Sequence, residues 1–103
     1  MSAIACAAVL KALSHPTRIA IVSLLSEGDL CVCEILEKLG TTQPALSKHL
    51  SVLRAERLVA HSRQGNRIVY RLASPQVSVI VRASCQVAKE LLDWELASWE
   101  RDA

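Results

Sequence analysis

The chain contains no phenylalanine, and aromatic residues make up 3% of it. A core must therefore be assembled from leucine, valine, isoleucine and alanine. No run reaches the ~18 consecutive apolar residues of a membrane span, so no membrane partner is expected. The start, Met1-Ser2-Ala3-Ile4-Ala5-Cys6, has no basic segment, and Lys11 soon breaks the apolar run. That pattern does not suit a secretory signal and predicts a cytoplasmic protein with reduced thiols. A Gly-rich phosphate loop, a Ser/His/Asp set and clustered carboxylates are all missing. An enzyme is thus not expected, nor is an organic cofactor.

What is present is strongly apolar. Hydrophobic residues make up 51% of the 103 residues, too many for a disordered chain. The length suits one domain spanning residues 1–103. So apolar a chain with so thin a core predicts that part of its apolar surface is shared with a second copy. The net charge of +2 hides a segregation. Residues 43–71 carry Lys48, Arg54, Arg57, Arg63, Arg67 and Arg71 against Glu56 alone, and the rest of the chain is slightly acidic. Such a block suits a phosphate-facing surface. The alternative is a merely solvated face.

Along the chain, Ala-rich residues 3–13 favour a helix that ends near Ser14-His15-Pro16. Pro16 fits the first turn of a second helix capped by Ser14 or His15. That helix stops at Glu27-Gly28-Asp29. A short third helix runs from about Val32 to Leu39, and Gly40 ends it. Thr42 caps a fourth, with Pro44 in its first turn. Leu46, Leu50 and Leu53 then face inward, and Ser47, Lys48 and Ser51 outward. A short helix, a glycine turn and a capped helix with polar outward residues make a helix-turn-helix. Residues 58–63 and 67–72 read as two strands joined by Gln64-Gly65-Asn66, a β-hairpin wing. Ser74-Pro75 opens a last helix to about Trp99, with Val77, Ile80, Val81, Ala88, Leu91 and Leu92 on its apolar side.

The segment Leu30-Cys31-Val32-Cys33-Glu34-Ile35 sets two thiols beside this DNA-reading unit. Thiols at a helix start gain thiolate character from exposed N–H groups and the helix dipole, and As(III), Sb(III), Cd(II), Pb(II) and Hg(II) prefer thiolates. Residues two apart in a helix point roughly 200° apart. Chelation by Cys31 and Cys33 is therefore expected to unwind or re-aim the first turn of the third helix. Glu34 and Glu37 read as the solvated side of that helix. The three histidines form no site: His15 reads as a cap, His49 as part of the DNA surface and His61 as a wing residue.

Taken together, Leu13-Ser14-His15-Pro16-Thr17-Arg18, the Cys-Val-Cys segment, Gln43-Pro44-Ala45-Leu46-Ser47-Lys48-His49-Leu50 and the wing Arg63-Gln64-Gly65-Asn66-Arg67 resemble the ArsR/SmtB family of winged-helix, metal-sensing repressors. The resemblance covers nearly the whole chain. The Cys-Val-Cys element is similar to that of arsenic- and antimony-responsive repressors, and of cadmium/lead sensors that share it. The resemblance implies a mainly α winged helix-turn-helix with a small β-hairpin (ααααββα), dimerised through its first and last helices. It implies a repressor that leaves operator DNA when As(III) or Sb(III) binds Cys31 and Cys33, with Cd(II), Pb(II) or Hg(II) as alternative inducers. Where the arsenic sensors carry a third cysteine, three residues after the second, this chain has Leu36. Cys6 is the candidate third ligand, although Ala-Cys-Ala-Ala alone reads as core. Cys85 is the other, although its apolar neighbours make it read as packing. The last helix lacks the His/Asp/Glu pattern of the family's zinc sensors.

On the DNA side, Thr42 and Pro44 set the start of the recognition helix, Gln43, Ser47 and Lys48 are expected in a major groove, and His49 near the backbone. Arg54 adds to the basic block, and Arg63 and Arg67 on the wing should reach flanking phosphate or the minor groove. Two competing readings remain. One is a redox or reactive-sulfur repressor of the same fold, using Cys85. The other is a winged-helix module for protein–protein contact that no longer binds DNA.

Overall fold

The structure, a computed structural model, describes residues 1–102 and the side chains of residues 1–94. Each helix begins where the sequence supplies a cap. The Ser2 hydroxyl accepts from the Ala5 N–H at 3.2 Å and opens α1 (Ala3–Leu13). His15 accepts through Nδ1 from the Thr17 N–H at 3.0 Å and opens α2 (Pro16–Leu25), with Pro16 in the turn where its missing N–H costs nothing. After β1 (Leu30–Cys31) comes α3 (Val32–Leu39), which ends at Gly40 in the left-handed region, φ 63°. The Thr42 hydroxyl then caps α4 (Gln43–Ala55). β2 (Val59–Gln64) and β3 (Arg67–Leu72) form the wing, and α5 (Pro75–Asp102) follows.

The core gathers Ala12 and Leu13 of α1, Ile21, Val22 and Leu25 of α2, and Ile35 of α3 around Leu46, Leu50 and Leu53 of α4. Leu58, Val59 and Tyr70 close it from the wing side, and Val77 and Val81 from α5. The three α4 leucines face inward, as their spacing predicts. The second half of α5 behaves differently. Val87, Leu91, Leu92 and Trp94 are exposed, as are Ile4 and Leu10 of α1. Ala88, read from the sequence as part of the same apolar side, is exposed too. The Trp99 side chain lies outside the described residues.

Two features differ from the sequence reading. The wing is not an isolated hairpin but part of a three-stranded antiparallel sheet in the order β1-β3-β2. Leu30 lies opposite Tyr70 and Cys31 opposite Val69. A two-residue strand carries no periodicity, so it is invisible to pattern reading. Gln64 also belongs to β2, opposite Arg67, which leaves Gly65-Asn66 as a two-residue turn. Gly65, at φ 64°, supplies the positive φ that such hairpins need at their first central position.

Candidate thiol site and nucleic-acid interface

The pairing of β1 with β3 decides the geometry of the thiols. Cys31 is not in the helix. It is the extended residue before it, φ −77° and ψ 161°, and Cys33 is the second helical residue. The 200° separation expected of two helical residues therefore does not apply, and both residues line one cavity. The extended backbone at Cys31 removes the helical geometry on which the expected unwinding of the first turn was based. Cys31 is 1% exposed, whereas Cys33 faces solvent.

Around the pair lies a polar ring. The Cys31 N–H donates to Glu34 Oε1 at 3.1 Å, the carboxylate half of a capping box. Nη2 of Arg67 donates to the same Oε1 at 3.1 Å and to Cys31 Sγ at 2.9 Å. Glu34 is therefore not simply a solvated helix residue, and Arg67 does not stand free on the wing. The hydrogen bond from Cys31 is the first cause that holds the Cys33 thiol below its ordinary value, with desolvation opposing it and a hydrogen bond and positive charge from Arg67 adding to it. Glu34 is held below the usual carboxylate range, first by the Cys31 N–H and side chain, then by the charges of Arg67 and Lys38. The Arg67 guanidinium is made still more basic by its hydrogen bond to Cys31.

Beside the thiols opens a cavity of about 290 Å³. Its walls come from the thiol segment (Cys31, Val32, Cys33, Leu36), from Gln43 at the first turn of α4, and from Asn66, Arg67 and Ile68 at the wing tip. One space thus touches the soft ligands, the start of the recognition helix and the wing. The Glu34 contribution was legible in principle, because Cys31 and Glu34 stand at capping-box spacing. The Arg67 contribution needed the strand pairing.

Other residues singled out by sequence divide into two groups. Thr42, Gln43, Pro44, Ser47 and Lys48 are exposed along one end of α4, and Arg63 is exposed at the wing tip, its Nε donating to the Gly65 carbonyl. Arg54 lies beside His61, Nη1 to Nε2 3.2 Å. His49, read as part of the DNA surface, is turned the other way. It packs on His15 with ring centroids 4.3 Å apart, and its Nδ1 accepts from Arg18 Nε at 3.3 Å. Its place one position beyond Lys48 carries it round the helix toward α2.

The two remaining cysteines also depart from the reading. Cys6 and Cys85 are both exposed rather than packed in the core, because each lies on a helix face that this chain does not cover. No group of three His, Cys, Asp or Glu side chains placed to hold a metal ion occurs among the described residues. The chain alone therefore brings together Cys31 and Cys33, and neither Cys6 nor Cys85 joins them.

A glycine-ended scaffold helix, a capped helix with an exposed polar N-terminal face, and a β-hairpin beside it define a winged helix-turn-helix protein. Residues 15–61 match the bacterial regulatory proteins of the arsR family. The HTH-type transcriptional repressor SmtB of Mycobacterium tuberculosis is 42% identical over 73 residues, 71% of this chain and 54% of that protein. The arsenical resistance operon repressor of Escherichia coli is 46% identical over 68 residues, 65% of this chain and 57% of that protein. The chain thus spans little more than half the length of these curated relatives. The solution structure of a homodimeric winged helix-turn-helix domain from Mycobacterium bovis, described as a possible ArsR-family transcriptional regulator, superposes with a TM-score of 0.77. It is 32% identical, over 86% of this chain and 82% of that one. The chain belongs to the ArsR family, whose members are regulators of transcription and not enzymes.

Proposed function

We propose that the chain is one winged-helix unit that dimerises, represses transcription by binding operator DNA, and lets go when a thiophilic ion binds Cys31 and Cys33. Arsenite or antimonite is the leading inducer. The observation that carries this reading is the shared cavity, whose walls hold both thiols, Gln43 of α4 and the wing tip. A change at the sulfurs has no distance to travel before it meets both DNA-reading elements. The name of the Escherichia coli relative supports arsenic as the signal.

The donor set fits a soft ion. It offers two sulfurs, one buried and one with a lowered thiol pKa, and no converging imidazole or carboxylate triad among the described residues. That chemistry suits As(III), Sb(III), Cd(II), Pb(II) or Hg(II) better than a hard cation. With arsenous acid, Cys31 and Cys33 replace two hydroxides, which leave as water. With Leu36 beside them, the third position of arsenic falls to solvent or a small thiol. On the DNA face, Gln43, Ser47 and Lys48 are the candidate base-facing residues, with Thr42 and Pro44 setting their register and Arg54 and Arg63 flanking them. A redox repressor remains the second reading, favoured by the exposure of Cys85.

The test is fluorescence anisotropy on operator DNA with Cys31→Ser and Cys33→Ser. Apo Cys33→Ser should bind as the wild type does, and apo Cys31→Ser should keep most of its affinity, because the serine hydroxyl still offers an acceptor to Arg67. Arsenite should weaken the wild type by about tenfold or more and leave both variants bound. Release of the variants at wild-type arsenite concentrations would remove the thiol pair as the sensor. Release of the wild type by peroxide, abolished in Cys85→Ser, would favour the redox reading.

A further inference from the structure

We propose that Arg67 is a positioning residue that ties the wing to the thiol pair, rather than a phosphate contact. This rests on the thiol pair being the ion site.

Three contacts make a closed ring. The Cys31 N–H meets Glu34 Oε1, the same oxygen accepts from Arg67 Nη2, and that nitrogen also donates to Cys31 Sγ. The residues come from three places: the edge strand β1, the first turn of α3 and the first position of β3. Two residues further on, Val69 pairs with Cys31 through the backbone. The wing is thus pinned to the start of α3 twice, once by strand pairing and once by this ring nearer its tip.

The ring also accounts for the charge. A guanidinium held 3.1 Å from a carboxylate presents little net charge to a phosphate. Arg63, on the same wing, has no acidic partner among the described residues, and its Nε meets only the Gly65 carbonyl. Of the two arginines at the wing tip, Arg63 therefore keeps its charge for DNA, whereas Arg67 is paired at the thiol site. An exposed ion pair by itself is weak, and the side chains of Arg67 and Glu34 are 58% and 43% exposed. The ring is therefore suited to biasing the wing between two poses rather than to holding the fold. An ion on Cys31 engages the sulfur electrons that accept from Arg67. The ring opens, the wing tip is released from α3, and the pose that matches DNA becomes less populated.

The experiment uses full-length Arg67→Gln, Glu34→Gln and the double variant, on a labelled duplex enriched from a random library by the wild-type protein. Glu34→Gln keeps an oxygen for the Cys31 N–H while removing the charge that holds Arg67, so the helix start is preserved, and circular dichroism checks it. Without any ion, each single variant should bind about fivefold more weakly than wild type. The double variant should be no weaker than either single one. The slope of log affinity against log salt should not change, and arsenite should have correspondingly less left to do. The proposal is overturned if Glu34→Gln binds as tightly as the wild type, or if Arg67→Gln lowers the salt slope by about one, the signature of a lost phosphate contact. If wild type ignores arsenite, antimonite and cadmium alike, the sensing reading fails instead. The ion-free affinities and slopes still decide whether Arg67 positions the wing.

Discussion

At position 49 a single ring shows how burial changes a residue's chemistry. His49 lies half-buried between His15 and Arg18, and burial is the first cause that pushes its pKa below the ordinary 6.5, with the charges of His15, Arg18 and Lys48 adding to it. The folded protein therefore resists a proton that the unfolded chain accepts. The stability contributed by neutral His49 is full above about pH 6.5 and is lost as the pH falls through the lower folded value. The carboxylate of Glu34 acts in a separate window, below its ordinary 4.5. Urea midpoints measured at pH 7.5 and 5.5 should fall with acid in the wild type and fall less in His49→Gln. Equal slopes in the two proteins would mean that the ring is protonated in the fold. The family motif around residues 43–50 marks His49 as part of the DNA helix. Only the packing of α4 on α2 turns its ring inward.

Among the elements, α3 and α4 are the best specified locally. Gly40 ends α3 in a left-handed conformation with its N–H on the Leu36 carbonyl, 2.9 Å. Two residues later Thr42 accepts from the Ala45 N–H at 3.3 Å. Together they set the angle between scaffold and recognition helix. Gly40→Ala should cost roughly 1–2 kcal/mol, because an L side chain is strained at that φ. Thr42→Ala should cost about 1 kcal/mol through loss of the cap. Urea denaturation measures both, and DNA affinity should fall more in Gly40→Ala, since the turn sets how α4 is presented. These boundaries were legible because capping is a contact between near neighbours. β1 was not. Leu30 and Cys31 are extended only because β3 lies alongside them, and that neighbour is about forty residues away in the chain.

At the scale of the whole molecule, the exposed apolar faces of α1 and α5 dominate. Ile4 is 86% exposed, Leu91 62% and Trp94 65%. Exposed large apolar side chains in such number on two helices suit an interaction surface, and the solved Mycobacterium bovis relative is homodimeric. We expect a second copy to cover it, pairing first and last helices. Leu91→Glu should raise the dimer dissociation constant by tenfold or more, on the order of 1.4 kcal/mol or above, as read by sedimentation equilibrium. Operator affinity should fall with it, because two linked half-site contacts become one. A wild type that stays monomeric at micromolar concentration while binding operator tightly would refute the arrangement. Cys6 and Cys85 belong to this scale too. Each was read as a packed core residue, yet both lie exposed on these two helices.

By itself the sequence determined the elements whose causes are local: the five helices, the caps of the second and fourth, the glycine stop at residue 40, the inward leucines of α4 and the hairpin turn around Gly65. It also determined the chemistry on offer, two thiols beside a basic block, since side-chain identity needs no fold. What only the tertiary structure decided was how those groups meet. Cys31 is extended and buried because it pairs with β3, and it therefore lines one cavity with Cys33 rather than lying across the helix from it. Arg67 is drawn from the wing to Cys31 and Glu34 by the same pairing. His49 is turned from DNA to α2. In each case the deciding partner is distant in the chain, so its effect on backbone, burial and charge is absent from any local pattern.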